Sequence, residues 1–118
     1  MKYLITDDSK LARLSLLKSL QPYIKNDEIY QATNGLEAIE IMKTHKVDII
    51  FLDLTMPIMN GYETLPKILE INPDAKVIVV SADIQDKAKN IVINLGAQLH
   101  IKKPINKKKM QEIINILA

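Results

Sequence analysis

Residues 47–53 read VDIIFLD, an apolar run of β-branched and aromatic residues that stops at a carboxylate. A short apolar run of this kind is typical of a buried strand, and this one is the clearest strand signal in the chain. We therefore predict a buried strand over Val47–Leu52. This strand would place Asp53 at its carboxyl end.

Four further runs predict strands elsewhere in the chain. Tyr3–Thr6 precedes two acids, Glu28–Ala32 is the weakest signal, Lys76–Val80 is apolar after its lysine, and Leu99–Ile101 is the shortest. The intervals between these runs are long enough for the crossover helices that parallel strands require. Strands are thus expected to alternate with helices.

Each predicted strand is followed by apolar residues at helical spacing. We predict Ser9 as the N-cap of the first helix, and the end of that helix, or of its regular part, at Pro22. Pro66 predicts a kink or a late start of the third helix, and Gly96 a stop after the fourth. The residues expected to face the core are Leu11, Leu14, Leu17 and Leu20; Leu36, Ile39 and Met42; Leu65, Ile68 and Leu69; Ala88, Ile91, Val92 and Leu95; and Met110, Ile113, Ile114 and Leu117.

This alternation predicts an α/β fold, with a mostly parallel sheet and helices on both faces, in one domain spanning residues 1–118. Doubly wound sheets commonly have either the dinucleotide-binding strand order or the flavodoxin-like order 2-1-3-4-5. Five strands with five helices favour the flavodoxin-like order.

The composition narrows the function classes. A chain of 118 residues is long enough for one core and too short for two domains. It contains no cysteine, which excludes a disulfide framework and a thiol nucleophile and suits the cytoplasm. No apolar stretch approaches the ~20 residues of a membrane span, and early acids exclude a signal peptide. The net charge of +2 is too small to indicate nucleic acid.

Polar residues follow several of the predicted strands. Asp7 and Asp8 end strand one, Asp53 ends strand three, Ser81 ends strand four, and Lys103 follows strand five. Ligands of doubly wound sheets bind beyond the carboxyl ends of the strands, where the strand order reverses. In the flavodoxin-like order this point lies between strands one and three, so we expect all five residues on one rim.

Three neighbouring carboxylates raise one another's pKa values unless a cation joins them. Carboxylate oxygens with room for water suit Mg²⁺. A single acid after a strand is more often a helix cap or a solvated loop residue. Three acids with a lysine and a hydroxyl at one rim favour a site instead.

The ordered set of motifs resembles the receiver domains of response regulators. It consists of Asp7-Asp8-Ser9, residues 53–61 (DLTMPIMNG), Ser81-Ala82 and Lys102-Lys103-Pro104, at matching spacing over the whole chain. The chain is most similar to the single-domain, CheY-like receivers of chemotaxis. The resemblance implies two-component signalling, in which a histidine kinase or phosphotransfer protein donates a phosphoryl group and the chain then changes its affinity for a target.

The resemblance also implies a Mg²⁺ site. Asp8 would bind the ion directly and Asp7 would bind it through water. Asp53 and the backbone carbonyl of Thr55 would complete the protein ligands. These assignments come from the family and from the matching positions in this sequence.

By the same resemblance, Asp53 would be the phosphorylated carboxylate. Ser81 would donate a hydrogen bond to the phosphoryl oxygens and Lys103 would pair with them. His100 occupies the position where the family usually has a Tyr or Phe that swings inward on activation, so we expect it to move in the switch. We expect the Lys103-Pro104 bond to be cis, which would direct the lysine over the acids.

The chemistry is consistent with these roles. A carboxylate nucleophile gives an aspartyl phosphate, and Mg²⁺ and Lys103 would neutralise the charge on the transferring group. The chain has neither GxxxxGK[ST] nor GxGxxG, so the phosphoryl group must come from another molecule. We expect a phosphoacceptor signalling domain with self-catalysed phosphotransfer and autodephosphorylation, not an enzyme.

Three other functions are alternatives to this interpretation. A metal-dependent phosphatase that uses an aspartyl phosphate would need an acid two residues after Asp53, where the chain has Thr55. A flavin-binding module would need a phosphate loop after strand one, where Asp7 and Asp8 would repel a phosphate. A receiver that is never phosphorylated is the third alternative, and the complete set of site residues argues against it.

The resemblance places the downstream target on helix four, strand five and helix five, with no direct contact to nucleic acid and no membrane insertion. His100 lies on this face, and Lys107–Lys109 opposes the dipole of the last helix, which hints at an acidic partner. Such charge runs are more often solvated faces. We interpret His45 as exposed and without functional meaning.

Overall fold

The predicted alternation of strands and helices is present in the structure. This is a computed structural model, and it describes residues 1–25, 28–82 and 85–117. No helix in these ranges is long and apolar enough to cross a membrane. The strands are β1 (Lys2–Thr6), β2 (Glu28–Ala32), β3 (Ile49–Leu52), β4 (Lys76–Ser81) and β5 (Leu99–Lys102), and the helices are α1 (Lys10–Leu20), α2 (Gly35–Thr44), α3 (Gly61–Ile71), α4 (Asp86–Asn94) and α5 (Lys107–Leu117).

The five strands are parallel and lie in the order β2-β1-β3-β4-β5, which confirms the flavodoxin-like prediction. β1 pairs with β2 on one side and with β3 on the other, so the strand order reverses between β1 and β3. Thr6 of β1 lies opposite Leu52 of β3. The next residues, Asp7 and Asp53, therefore leave the sheet side by side.

The sheet separates two apolar cores because alternate side chains of a strand point to opposite faces. One core packs against α1 and α5, and the other against α2, α3 and α4. The strands contribute Tyr3, Ile5, Ile49, Phe51, Ile78 and Val80 to the first core and Leu4, Ile50, Leu52, Val77 and Val79 to the second. Burial on both faces explains the near-continuous apolar character of the central strands.

The ends of the helices follow their local sequence. The Ser9 hydroxyl caps α1 by accepting a hydrogen bond from the Ala12 N–H at 3.2 Å. α1 ends at Leu20 and passes into a 3₁₀ turn that contains Pro22, as predicted. Gly96 follows α4 with φ of 108°, a left-handed conformation that favours glycine.

Some predicted core positions are wrong. Leu11, Leu14, Leu36 and Ile91 are 78%, 47%, 48% and 39% exposed. α1 is rich in leucine on more than one face, and its buried stripe runs through Leu16, Leu17 and Leu20, which spacing alone did not distinguish. In α2 the buried residues are Gly35, Ala38, Ile39 and Met42. The buried face of this helix therefore includes Gly35 and excludes its neighbour Leu36.

Three smaller expectations also need correction. β3 begins at Ile49, two residues later than predicted, although Val47 is buried. α3 begins at Gly61 and continues through Pro66, which is exposed, so the helix does not start late; the alternative, a kink at Pro66, stays a prediction. His45 is half-buried and stacks on Tyr30 with the ring centroids 4.4 Å apart.

The amino end of the sheet carries a small apolar cleft of about 130 Å³. Both Met1 and Leu117 line it, together with Tyr3, Ile49 and Ile114 of the adjoining core. The first and last described residues of the chain thus lie at the same end of the sheet, opposite the end from which Asp7 and Asp53 emerge.

Candidate functional site

The reversal of strand order brings three acids together at the carboxyl ends of β1 and β3. One carboxylate oxygen from each of Asp7, Asp8 and Asp53 lies within 4.8 Å of the others. Asp7 and Asp53 are buried, whereas Asp8 is exposed. The site is therefore an acidic depression with one side open to solvent.

Asp53 is fixed by its own backbone and by its neighbour. Its N–H donates to the Thr6 carbonyl at 3.0 Å, which extends the β1–β3 pairing past the strand ends. Its carboxylate oxygen Oδ1 accepts a hydrogen bond from the Leu54 N–H at 2.9 Å. The carboxylate therefore has a defined orientation at the rim.

Asp7 is held from the opposite side of the rim. Its N–H donates to the Ala32 carbonyl at 3.1 Å, and its Oδ1 accepts from the Ser9 N–H at 2.9 Å. Ser9 is also the N-cap of α1, so one short turn fixes both the acid and the start of the helix. Asp8 lies between Asp7 and Ser9 in the chain, and its carboxylate belongs to the same acidic cluster.

Lys103 joins the two buried acids. Its Nζ lies 2.7 Å from Asp7 Oδ2 and 3.2 Å from Asp53 Oδ1. The Lys103-Pro104 peptide bond is cis, as predicted, and the Lys103 N–H donates to the Ser81 carbonyl at 2.9 Å. The end of β5 and the end of β4 thus hold the ammonium group over the acids.

The electrostatics of the rim are unbalanced. Burial raises the pKa of Asp53, and the nearby negative charge of Asp7 raises it further; Lys103 and the Leu54 N–H only partly oppose this. Burial lowers the pKa of Lys103, but its contacts with Asp7 and Asp53 outweigh burial, so its net pKa is raised. The Lys103 ammonium thus contacts two of the three clustered carboxylates, an arrangement that a divalent cation would stabilise further.

The donor set fits a hard cation. Carboxylate oxygens within a few ångströms of one another, one of them open to water, are the ligands that Mg²⁺ and Ca²⁺ take in proteins. Thr55, whose carbonyl is the fourth predicted ligand, is exposed in the loop after Leu54. The acidic cluster is thus a candidate metal centre.

The other predicted residues lie at different distances from this cluster. Ser81 is buried at the end of β4 and touches the site through its backbone bond to Lys103. His100 pairs in register with Val79, further back along the sheet, on the face turned away from Leu99 and Ile101. Its Nε2 is buried without a hydrogen-bond partner among the described residues.

Two residues near the site were missed as functional by the sequence analysis. Gly61 closes the β3–α3 loop by donating its N–H to the Leu54 carbonyl at 2.9 Å, and a Cβ there would lie 2.3 Å from the Asp53 carbonyl oxygen. Arg13 donates from Nη1 to the Asp7 carbonyl at 2.7 Å. The position of Arg13, one turn after the cap Ser9, was the available sequence signal.

Comparison with known proteins agrees with this geometry. The model of the response regulator receiver domain family matches residues 3–115. The chemotaxis protein CheY of Thermotoga maritima is 38% identical over 114 residues, covering 97% of this chain and 94% of the relative. CheY of Listeria monocytogenes is 36% identical over 118 residues, covering 100% and 98%.

The chain also has the same fold as a protein of known structure. The CheX–CheY–BeF₃–Mg²⁺ complex from Borrelia burgdorferi contains a chain that superposes with a TM-score of 0.91 at 30% identity, covering 100% of this chain and 90% of that one. The order of the strands, the acidic rim and the length of the match point to the same conclusion. The chain belongs to the response regulator receiver domain family, whose general function in two-component signalling is to accept a phosphoryl group.

Proposed function

We propose that Asp53 accepts a phosphoryl group from a phosphohistidine of a kinase or phosphotransfer protein, and that this changes the affinity of the chain for a target. The observation that carries the proposal is the position of Asp53. It lies at the strand-order reversal, in a cluster with two other acids and in contact with Lys103. This combination supplies a nucleophile, a cation-binding rim and a fixed positive charge.

In the proposed transfer, a carboxylate oxygen of Asp53 attacks phosphorus while the P–N bond of the phosphohistidine breaks. The electron pair of that bond leaves with the imidazole. The Leu54 N–H and Lys103 hold Oδ1, so we assign the attack to Oδ2. Bound Mg²⁺ would neutralise charge on the transferring oxygens, and Asp7, Asp8, Asp53 and the Thr55 carbonyl would hold it.

Lys103 and Ser81 would contact the transferred group once it is bonded to Asp53. The Lys103 ammonium already touches Asp53, so it can follow the new phosphoryl oxygens with little rearrangement. Ser81 is the last residue of β4, and its hydroxyl would donate a hydrogen bond to one of these oxygens. The same charges would later orient the water that removes the phosphoryl group.

Incubation with acetyl phosphate and Mg²⁺, followed by intact mass spectrometry, tests the proposal. We expect the wild type to gain one phosphoryl group, and Asp53→Asn, which keeps the size of the side chain, to gain none. Asp74→Asn, an exposed acid far along the chain, serves as the matched control and should be phosphorylated normally. Phosphorylation of Asp53→Asn at the wild-type rate would contradict the assignment.

For the target, we propose the face formed by α4, β5 and α5. A cleft of about 210 Å³ lies there, lined by His100, Ile101, Ile113 and Ile116 and by the charged residues Lys102, Lys109 and Glu112. Lys107 and Lys108 are exposed beside it, whereas Lys109 donates to the Lys102 carbonyl at 3.1 Å. An apolar floor with a basic rim suits an acidic, amphipathic segment of a partner protein.

NMR chemical-shift mapping tests this face. Shift changes between the free chain and the chain phosphorylated with acetyl phosphate should concentrate on the rim and on α4, β5 and α5. An added acidic peptide should also cause shift changes on this face. These changes should become smaller at high salt, because exposed charges are screened beyond ~8–10 Å. Changes confined to α2 and α3 away from the rim would contradict the proposed face.

A further inference from the structure

Arg13 reaches outside its own helix to the acidic turn. From α1, its Nη1 donates to the backbone carbonyl of Asp7 at 2.7 Å, and its Nε donates to the Gln31 side chain at 3.0 Å. The guanidinium is half-buried and spans the turn after β1 and the edge strand β2. A planar fork of donors suits such a bridge, because both bonds constrain the same rigid group.

The carbonyl that Arg13 contacts belongs to the peptide group between Asp7 and Asp8. Because a peptide group is planar, fixing its oxygen also fixes the direction of the Asp8 N–H and hence the start of the Asp8 side chain. The Asp7 N–H and side chain are already fixed by Ala32 and Ser9. Asp8 is exposed, and the structure assigns no hydrogen bond of its own to its carboxylate within the described ranges.

We propose that Arg13 is a positioning residue for cation binding at the acidic rim. By holding the peptide between Asp7 and Asp8, it keeps the exposed Asp8 carboxylate within reach of Asp7 and Asp53 before an ion arrives. This inference rests on the proposed metal role of the three acids. Arg13 itself touches neither the ion nor the transferring group.

A purely electrostatic effect of Arg13 has the opposite sign. A positive guanidinium near the rim repels a divalent cation, so its removal would tighten Mg²⁺ binding if charge were its only influence. Loss of positioning would instead weaken binding, since Asp8 would have to be ordered when the ion binds. The direction of the change therefore separates the two explanations.

The experiment is calorimetric titration of the whole chain with Mg²⁺ at fixed ionic strength, for wild type, Arg13→Ala, Arg13→Lys and Gln31→Ala. We expect Arg13→Ala to weaken Mg²⁺ binding about tenfold, the lower end of what outer partners of metal ligands contribute. Arg13→Lys keeps the charge and one donor, so it should recover part of the affinity. Gln31→Ala removes the far contact and leaves the bond to the Asp7 carbonyl, so it should weaken binding less than Arg13→Ala does.

Amide hydrogen exchange of Asp8 and Ser9 without metal gives a second readout. Exchange at these two amides should quicken in Arg13→Ala, while amides of the buried strand β3 remain protected. If the wild type binds Mg²⁺ and Arg13→Ala binds it equally well or more tightly, the proposed role of Arg13 is wrong. The metal site itself would then still stand. Wild type that fails to bind Mg²⁺ would overturn the metal site and the inference with it.

Discussion

The carboxyl group of Asp53 opposes folding when it is ionised, because burial and Asp7 raise its pKa above the ordinary value of 3.8. A raised pKa means that the folded chain binds the proton more tightly than the unfolded chain. The contribution of Asp53 to stability is therefore most favourable below pH 3.8, its ordinary pKa, and is lost as the pH rises through the folded pKa. At neutral pH the ionised Asp53 reduces the free energy of unfolding.

Asp53→Asn should consequently raise the melting temperature at neutral pH, since it removes the buried charge and its repulsion with Asp7. The advantage should shrink at acidic pH, where the wild-type carboxyl is protonated as well. Thermal melts of both chains across this pH range check the prediction, with Asp74→Asn as the control. A variant that is less stable than wild type at neutral pH would mean that the attraction of Lys103 dominates.

Ile58 has a left-handed backbone, which is unfavourable for a β-branched residue. Its φ is 67°, and its side chain is 77% exposed at the tip of the β3–α3 loop. The left-handed conformation costs a residue with a Cβ roughly 1–2 kcal/mol, and Asn tolerates it better. Ile58→Asn should therefore raise the free energy of unfolding by about 1 kcal/mol, as measured by urea denaturation.

Ile116→Asn is the matched control for this substitution. Ile116 is also an exposed isoleucine, but it lies in α5 with a helical backbone. It should gain nothing, because no left-handed strain is relieved. An equal gain in both variants would show that lost apolar exposure, and not backbone conformation, is responsible.

Sequence reasoning located the acids and Lys103 because each follows a strand, and the carboxyl ends of parallel strands share one edge. It did not identify Arg13 or Ile58. The reach of Arg13 to the Asp7 carbonyl depends on how α1 packs, and the φ of Ile58 depends on how its loop closes. Neither property is encoded in residue spacing.

At the scale of elements, the β3–α3 loop is shaped by the absence of a side chain at Gly61. A Cβ there would lie 2.3 Å from the Asp53 carbonyl oxygen and 2.8 Å from Leu54 Cα, both backbone atoms. Gly61→Ala should destabilise the chain by about 1–3 kcal/mol, as overpacked sites do, and should slow phosphorylation by acetyl phosphate. Urea denaturation and intact mass spectrometry measure the two effects.

Gly96→Ala is the control that separates a loss of stability from a change in the geometry of the site. It is also unfavourable, because φ is 108° and a Cβ would lie 2.5 Å from Leu69 Cδ1, but Gly96 lies after α4 and away from Asp53. It should lose stability and keep the wild-type rate of phosphorylation. Equal slowing in both variants would indicate that Gly61 acts through stability alone.

We predict that His100, on strand β5, links the rim to the proposed target face. We expect His100→Ala to accept a phosphoryl group as wild type does but to transmit less of the change to α5, because the side chain that would move is missing. The NMR shift changes of α5 on phosphorylation should be smaller in the variant. Undiminished changes on α5 would exclude His100 as the moving side chain.

The elements themselves were predicted well where one face alone is apolar. In α5, Met110 and Ile113 are buried as the stripe requires. In α1 the leucines occupy several faces, and only the packing against α5 and the sheet selects Leu16, Leu17 and Leu20. The prediction failed there because periodicity gives the period of a buried stripe but not its phase when apolar residues are in excess.

For the molecule as a whole, Mg²⁺ should stabilise the unphosphorylated fold. A ligand that binds only the folded state adds RT ln(1 + [L]/Kd), about 1.4 kcal/mol at ten times Kd. For a domain of this size the melting temperature should rise by roughly 3–6 °C. Thermal melts with and without millimolar Mg²⁺ measure the increment.

Asp8→Ala sharpens this measurement. Removing Asp8 should raise the melting temperature of the metal-free chain, because one of the three clustered charges is gone. It should also abolish most of the Mg²⁺ increment. A wild type indifferent to Mg²⁺, or a variant that responds fully, would mean that the rim does not hold the ion through Asp8.

The overall topology was the most predictable level, since five short apolar runs separated by helices leave few arrangements of a parallel sheet. The strand order followed from that number and was confirmed. Strands β3 and β4 are buried on both faces, as their apolar composition indicates. They therefore lie inside the sheet and not at its edges.

Met1 and Leu117 line one cleft at the amino end of the sheet, and this makes the molecule easy to anchor. A linker, an affinity tag or a second protein attached at either terminus would leave from the side opposite Asp53. A chain coupled to a bead or sensor surface through a terminus would therefore present its acidic rim to solution. Since Met1 and Leu117 line the same cleft, a short peptide could also join the chain ends beyond them, and new ends opened in an exposed loop would give a circularly permuted receiver.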